Sequence, residues 1–283
     1  MNCRKYRVAF PLFLTGLLAA AAFGQYESSY RGDMRTAREM ESHSTGTPEW
    51  KNPPAFKKDV FTFVRIKYTR GRRGWGSAGY WITDAPDSDL NLSFRLQQMT
   101  SMKVDPDGRF LELTDPELFN YPFIYIVEPG GLRFEDEEVV ILRRYLLSGG
   151  FLMVDDFWGE AEWDNFYEQI RRVFPDREPV ELPLEHPLFH CVFDIVEKPQ
   201  VPNVRLGIQS QYTGVTWERS DARVPHYRAI LDDKGRIMVM ACHNTDLGDG
   251  WEREGENEYY FREFSEKKAF PLGINIIFYA MTH

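Results

Sequence analysis

Residues 123–156 read FIYIVEPGGLRFEDEEVVILRRYLLSGGFLMVDD. Phe123–Val127 is a short, wholly apolar run, the pattern of a strand covered on both faces. Phe134–Leu147 follows with the charge order of a helix. Glu135 to Glu138 fill its first turn, Arg143 and Arg144 stand near its end, and Ser148-Gly149-Gly150 stops it. Phe151–Val154 is again apolar and short, so it reads as the next buried strand. A strand, a helix and a strand joined this tightly predict parallel pairing with the helix packed over the sheet.

The same alternation extends outward. Val60–Tyr68 alternates β-branched and aromatic residues and reads as a strand. Asp89–Met102 spaces Leu90, Phe94 and Leu96 near a helical period, with Ser88 or Asp89 as N-cap. Glu162–Val173 reads as a helix closed by Pro175, Arg236–Ala241 as a strand, and Ala269–Thr282 as a C-terminal helix begun through Pro271. The irregular, Pro-rich stretch 179–228 predicts an insertion with short antiparallel strands. The expectation is one α/β domain over 58–283, three-layered, with a mostly parallel sheet and helices on both faces.

Ahead of it, Arg4, Lys5 and Arg7 precede an apolar run, Val8–Phe23, that ends in Ala22-Phe23-Gly24. That is the three-part pattern of a signal peptide cut before Gln25. At about 16 residues the run is shorter than the roughly 20 that a spanning helix needs. The pattern predicts a periplasmic or secreted protein with no stable membrane span after cleavage. Residues 25–57 lack apolar periodicity and read as a polar, disordered tether. Cleavage would remove three basic residues and no acidic one, moving the formal charge from −9 to −12. So acidic a chain argues against a nucleic-acid partner. Cys191 and Cys242 would remain, both in apolar company, and read as buried free thiols rather than a disulfide.

Several blocks carry a resemblance. They are Val64–Tyr68, Trp75, Tyr121–Tyr125, Leu147–Asp156, His186–His190 and His243–Glu252. In this combination and order the sequence resembles the bacterial family called domain of unknown function 4159, over about residues 58–283. The resemblance implies a fold similar to the flavodoxin-like and class I glutamine amidotransferase-like domains. Relatives look like genomic neighbours of chaperone-type ATPases and von Willebrand A-type domains, which suggests, by association only, assembly or envelope work. Amidotransferases of that class need a Cys at a Gly-flanked strand-to-helix elbow. This chain has Asp155-Asp156-Phe157-Trp158 where the elbow would sit, so acyl transfer by that route is not expected.

Open α/β sheets bind ligands beyond the carboxyl ends of their strands. The polar residues predicted there are Arg70, Arg72, Arg73 and Trp75 after the first strand, and Glu128 after the second. Asp155 and Asp156 follow the third, and His243, Asn244, Asp246 and Asp249 the last. Paired carboxylates hold a divalent cation or divide acid and base roles, against helix capping by one and solvation of the other. Asp155, Asp156, Asp246 and Asp249 are the metal candidates; Asp155, Asp156 and His243 are the catalytic ones. The His243–Gly250 stretch has the wrong spacing for an EF-hand and also reads as a turn held by Asx hydrogen bonds. His186 and His190 stand four apart, but Pro187 biases them toward a turn leading into a strand, Cys191–Val196. Trp75, Trp81, Trp158, Trp163, Trp217 and Trp251 could stack on sugars, anchor a protein partner or lid the core. No nucleotide-binding glycine motif is present, and no cofactor is indicated.

Three functions remain open on this reading. The first is a non-catalytic binding or assembly module of the envelope, for another envelope protein or a small polar ligand. Its groove would be lined by Arg73, Trp75, Glu128, Asp155, Asp156, His243, Asn244 and Asp246. The second is a metal-assisted hydrolase built on Asp155 and Asp156. The third is a carbohydrate-binding module.

Overall fold

The computed structural model of the chain describes residues 34–56, 59–70 and 81–283. Five short parallel strands build the sheet: β1 (Val64–Ile66), β3 (Arg109–Leu111), β4 (Phe123–Val127), β6 (Phe151–Asp155) and β9 (Ile237–His243). β8 (His226–Leu231) and β7 (Val180–Glu181) extend one edge in antiparallel sense. The spatial order is β3-β1-β4-β6-β9-β8-β7. Taken in chain order, the parallel strands therefore lie 2-1-3-4-5, the flavodoxin-type winding. Its topological switch point falls between β1 and β4. A separate two-stranded ribbon pairs β2 (Thr69–Arg70) with β5 (Leu132–Arg133).

Strand alternation sorts the core into two layers. Phe123, Tyr125 and Val127 of β4 and Phe151 and Met153 of β6 point to one face. They meet Leu92 and Leu96 of α1 (Asp87–Met99) and Leu272, Ile274 and Ile276 of the C-terminal helix. Ile124, Ile126, Leu152 and Val154 point to the other. There they meet Leu142 and Leu146 of α2 (Asp136–Leu147) and Phe166 and Ile170 of α3 (Gly159–Val173). With helices on both faces of a mostly parallel sheet, the expected three-layer α/β fold is what forms.

Helix starts obey their caps. Glu135 and Glu138 close a reciprocal capping box at α2. Past its end, Gly149 takes a φ of 111°, and Gly150 lies so close to the Tyr145 ring that a Cβ would sit 2.3 Å from it. α1 begins at Asp87, two residues ahead of the sequence reading, and α3 begins at Gly159, three ahead.

The stretch 179–228 holds β7 and the start of β8, but also α4 (Val204–Thr213), capped by Asn203. No strand forms over Cys191–Val196; the segment turns instead, with Val192 and Phe193 N–H donating to Asn275 Oδ1 at 3.2 and 2.8 Å. Near the C-terminus come α5 (Leu247–Glu252) and α6 (Glu258–Tyr260). A π-helical stretch, Phe261–Ala269, then runs into α7 (Phe270–Thr282).

Residues 36–56, placed by the sequence reading in a polar tether, lie against this body. The Arg38 guanidinium donates to the carbonyls of Pro106, Thr47 and Pro48. Trp50 Nε1 and Asn52 Nδ2 both donate to Val104 O, at 2.8 and 2.7 Å. Such long-range polar fastening leaves no apolar period behind it in the sequence. Cys191 and Cys242 are both free thiols. No helix among the described residues is long and apolar enough to cross a membrane. The signal pattern, residues 1–24, and Arg72, Arg73 and Trp75 lie outside the described residues.

Candidate functional site

Four non-glycine residues among those described have a positive φ: Asp84 (62°), Glu128 (46°), Asp156 (57°) and Asn244 (61°). All four stand at the carboxyl edge of the sheet. Each such backbone costs on the order of 1 kcal/mol or more, and such residues gather where a site is held under constraint. Asp156 occupies the sharp turn between β6 and α3. Glu128 occupies the turn after β4, and Asp84 the loop that enters α1, beside the switch point.

Asp84, Glu128 and Asp156 open into one pocket of about 370 Å³. Asp246 and Asp249 reach it from α5, Asn203 and Glu218 from the stretch around α4, and Trp158 and Glu162 from the start of α3. Seven carboxylates line it against two arginines, Arg219 and Arg253. Arg219 pairs with Glu162, and Arg253 with Glu252, Glu256 and Asp249. Both guanidinium groups are thus already engaged on the rim.

Oxygen atoms of Asp84, Asp156 and Asp246 all lie within 4.8 Å of one another. At that separation two full charges repel by roughly 3.5 kcal/mol even at an effective dielectric constant of 20. Burial comes first among the forces on these groups, and their neighbours add to it. Asp84 is pushed well above the usual carboxylate range by burial and by Asp249 and Glu252. Asp156 is pushed up by burial, Glu128 and Asp84, and Asp246 by burial, Asp156 and Asp249. The three carboxyls therefore hold their protons to higher pH than free carboxyls do.

Asp155 ends β6, and the left-handed turn at Asp156 divides the two side chains. The Asp155 side chain is fully buried, outside the pocket wall. Asp155 Oδ2 accepts the Gly248 N–H at 3.0 Å and the Tyr125 hydroxyl at 3.4 Å, while Oδ1 has no hydrogen-bond partner. Burial raises its pKa to about 7. The adjacent acids therefore do not face the pocket together.

His243 is also fully buried and does not line the pocket. Its Nε2 faces Gly159 O at 3.1 Å, its Nδ1 faces Arg228 Nη1 at 3.3 Å, and its ring stacks with His226 at 5.9 Å. Asn244 acts as a clamp: Oδ1 accepts the Gly159 N–H at 2.8 Å and Nδ2 donates to Val224 O at 2.8 Å. Asp246 caps α5 by accepting the Asp249 N–H at 2.7 Å, and Asp249 Oδ2 accepts the Val204 N–H at the start of α4. These two carboxylates thus fasten helices and face the pocket together.

His186 accepts the Leu188 N–H at 3.2 Å and His190 faces Asp194, so the two imidazoles are spent on a turn. Among the described tryptophans only Trp158 lines the pocket, with its Nε1 donating to Asp156 Oδ1 at 3.1 Å. Trp251 is buried in the core and donates to Ala269 O at 2.8 Å.

Sequence reasoning missed Asp84, Glu218 and Glu252. Asp84 sits in Thr83-Asp84-Ala85-Pro86, a turn signal just ahead of a helix, which could have marked it. Glu218 lies in the irregular stretch and carries no local signal.

The fold and the site define an open α/β domain of flavodoxin-type winding with an acidic pocket at its switch point. The sequence profile of the domain of unknown function DUF4159 matches residues 62–281, and the chain belongs to that family. No curated protein matches it.

Proposed function

We propose that this is an exported, divalent-cation-dependent binding or assembly module of the bacterial envelope, with the acidic pocket as its ligand groove. The carrying observation is the convergence of Asp84, Asp156 and Asp246 oxygens within 4.8 Å. Three carboxylates from three separate segments form the oxygen-only donor set that Mg²⁺, Mn²⁺ and Ca²⁺ prefer. A cation held there would keep open positions toward the pocket and give an anionic or hydroxylated ligand its point of attachment. The acidic walls would repel such a ligand without it. The N-terminal charge and apolar pattern supports export, and the acidic composition speaks against nucleic acid. A relation to class I glutamine amidotransferase-like domains is proposed for the fold only. The strand-to-helix turn has an elbow-like positive φ, but it presents Asp156 rather than a cysteine thiol.

Metal-assisted hydrolysis is the second reading, favoured by the free volume beside the same carboxylates. It would rest on Asp84, Asp156 and Asp246 rather than on Asp155, which is sequestered.

The test is a thermal melt of the full chain in EDTA and in Mg²⁺, Mn²⁺, Ca²⁺ or Zn²⁺. An ion at 100 times its Kd adds about 2.7 kcal/mol, or roughly 5–10 °C. A flat response to every ion sinks both readings. A rise together with turnover of phosphoester or glycan substrates, lost in Asp156→Asn, favours hydrolysis over binding alone.

A further inference from the structure

Asp84 belongs to two groups of converging carboxylates. One is Asp84, Asp156 and Asp246; the other is Asp84, Asp249 and Glu252, again with oxygens within 4.8 Å of one another. We propose that the pocket, together with the buried Glu252 beside its wall, is a two-cation site, with Asp84 as the bridging carboxylate, Asp156 and Asp246 on one ion, and Asp249 and Glu252 on the other. This rests on the cation-binding reading above and specifies its stoichiometry.

Charge supports it. Arg253 is ion-paired with Asp249 and Glu252, and the buried Arg65 offsets part of the charge on Asp84, while Asp156 and Asp246 have no ion pair among the described residues.

Unsatisfied buried oxygens point the same way independently. Asp84 Oδ2 and Glu252 Oε2 are buried and accept no hydrogen bond. Glu252 is 2 % exposed, and its Oε2 is ion-paired with Arg253 Nε at 2.9 Å. The Asp84 oxygen, buried and left bare in a native fold, asks for a missing partner, and an ion is one such partner.

The second group is also held ready. Asp249 is fixed by the Val204 N–H and by Arg253. Gly248 leaves the Asp84 carboxylate its place, since a Cβ there would fall 2.2 Å from Oδ2. Sites of this kind in phosphoryl-transfer and hydrolytic enzymes space their ions roughly 3.5–4 Å apart, within reach of one bridging carboxylate.

The experiment is a Mn²⁺ titration of the full-length chain by calorimetry, followed by low-temperature electron paramagnetic resonance of the loaded protein. Two ions per chain with an exchange-coupled spectrum are expected. Glu252→Gln should bind one ion and show the six-line spectrum of isolated Mn²⁺. One ion per chain in the unaltered protein, or two that are uncoupled, overturns the two-cation site while leaving a cation module standing. No ion at all overturns both. Two coupled ions retained in Glu252→Gln overturn the assignment of Glu252.

Discussion

Arg65, wholly buried at the centre of β1, grips the Asp89 carboxylate of α1 through Nε at 3.0 and 3.1 Å. It also donates from Nη1 to the carbonyls of Trp81 and Thr83, at 3.0 and 2.7 Å. One guanidinium thereby ties a strand to a helix and pins the loop that presents Asp84. Breaking a buried pair from one side costs about 3–5 kcal/mol. Arg65→Met should therefore lower the melting temperature by roughly 6–20 °C. Adding Asp89→Leu should recover part of that loss. The two carbonyls stay without donors, so the double variant should still bind Mn²⁺ more weakly than the parent. Calorimetry on both variants checks this, and full recovery of Mn²⁺ affinity would remove Arg65 as the anchor of Asp84.

Asp246→Asn separates the two tasks of that residue. Asparagine caps a helix as well as aspartate does, so α5 keeps its start. In EDTA the variant should melt at the same temperature as the parent or higher, because one of three mutually repelling carboxylates is gone. With Mn²⁺ or Mg²⁺ its thermal rise should shrink or vanish. A melt reduced by several degrees in EDTA would mean that the charge itself supports the fold.

Gly248→Ala places a methyl group where Asp84 Oδ2 stands, 2.2 Å away. Alanine is the better helix former by about 1 kcal/mol, so propensity alone predicts a gain. Overpacking of this kind costs about 1–3 kcal/mol, and the net change should be a loss. The cation-dependent rise should fall with it, since Asp84 must turn away. Paired melts with EDTA and Mn²⁺ read both effects, and an unchanged cation response would place Asp84 outside the binding set.

His243 makes stability depend on pH. Burial, with help from the nearby Arg228 and His226, lowers its pKa from 6.5 to about 4. Below pH 6.5 the unfolded chain takes up a proton that the folded chain refuses, so the contribution is complete above 6.5. It is lost as pH falls toward 4, by at most roughly 3 kcal/mol. His243→Phe keeps a ring beside Phe157 and Trp163 and removes the titration. Urea midpoints between pH 4.5 and 7.5 should fall less steeply with acid in the variant than in the parent. Parallel slopes would show that another group carries the acid sensitivity.

Much of the sheet was legible because β4 and β6 are covered on both faces and so run apolar without interruption. β3 and β7 were not legible, for they have three and two residues and no room to show a period. α4 was hidden in a stretch whose prolines read as irregular. The site was legible by its edge more than by its members. Glu128, Asp156, Asp246 and Asp249 follow from the rule that ligands meet strand ends. Asp84 required knowing how the loop after β1 closes over the switch point.

By itself the sequence determined the local elements: apolar runs for central strands, acidic first turns and glycine stops for helices, and carboxylates at strand ends. Only the tertiary structure decided which carboxylates meet. Asp155 and Asp156 are neighbours in the chain, yet the turn after β6 buries one beneath Gly248 and offers the other to the pocket. Asp84, Asp156 and Asp246 are far apart in the chain, yet they converge because the winding 2-1-3-4-5 brings the ends of β1, β6 and β9 to one edge. Pairing of distant strands is a property of how whole faces are buried, and no window of sequence contains it.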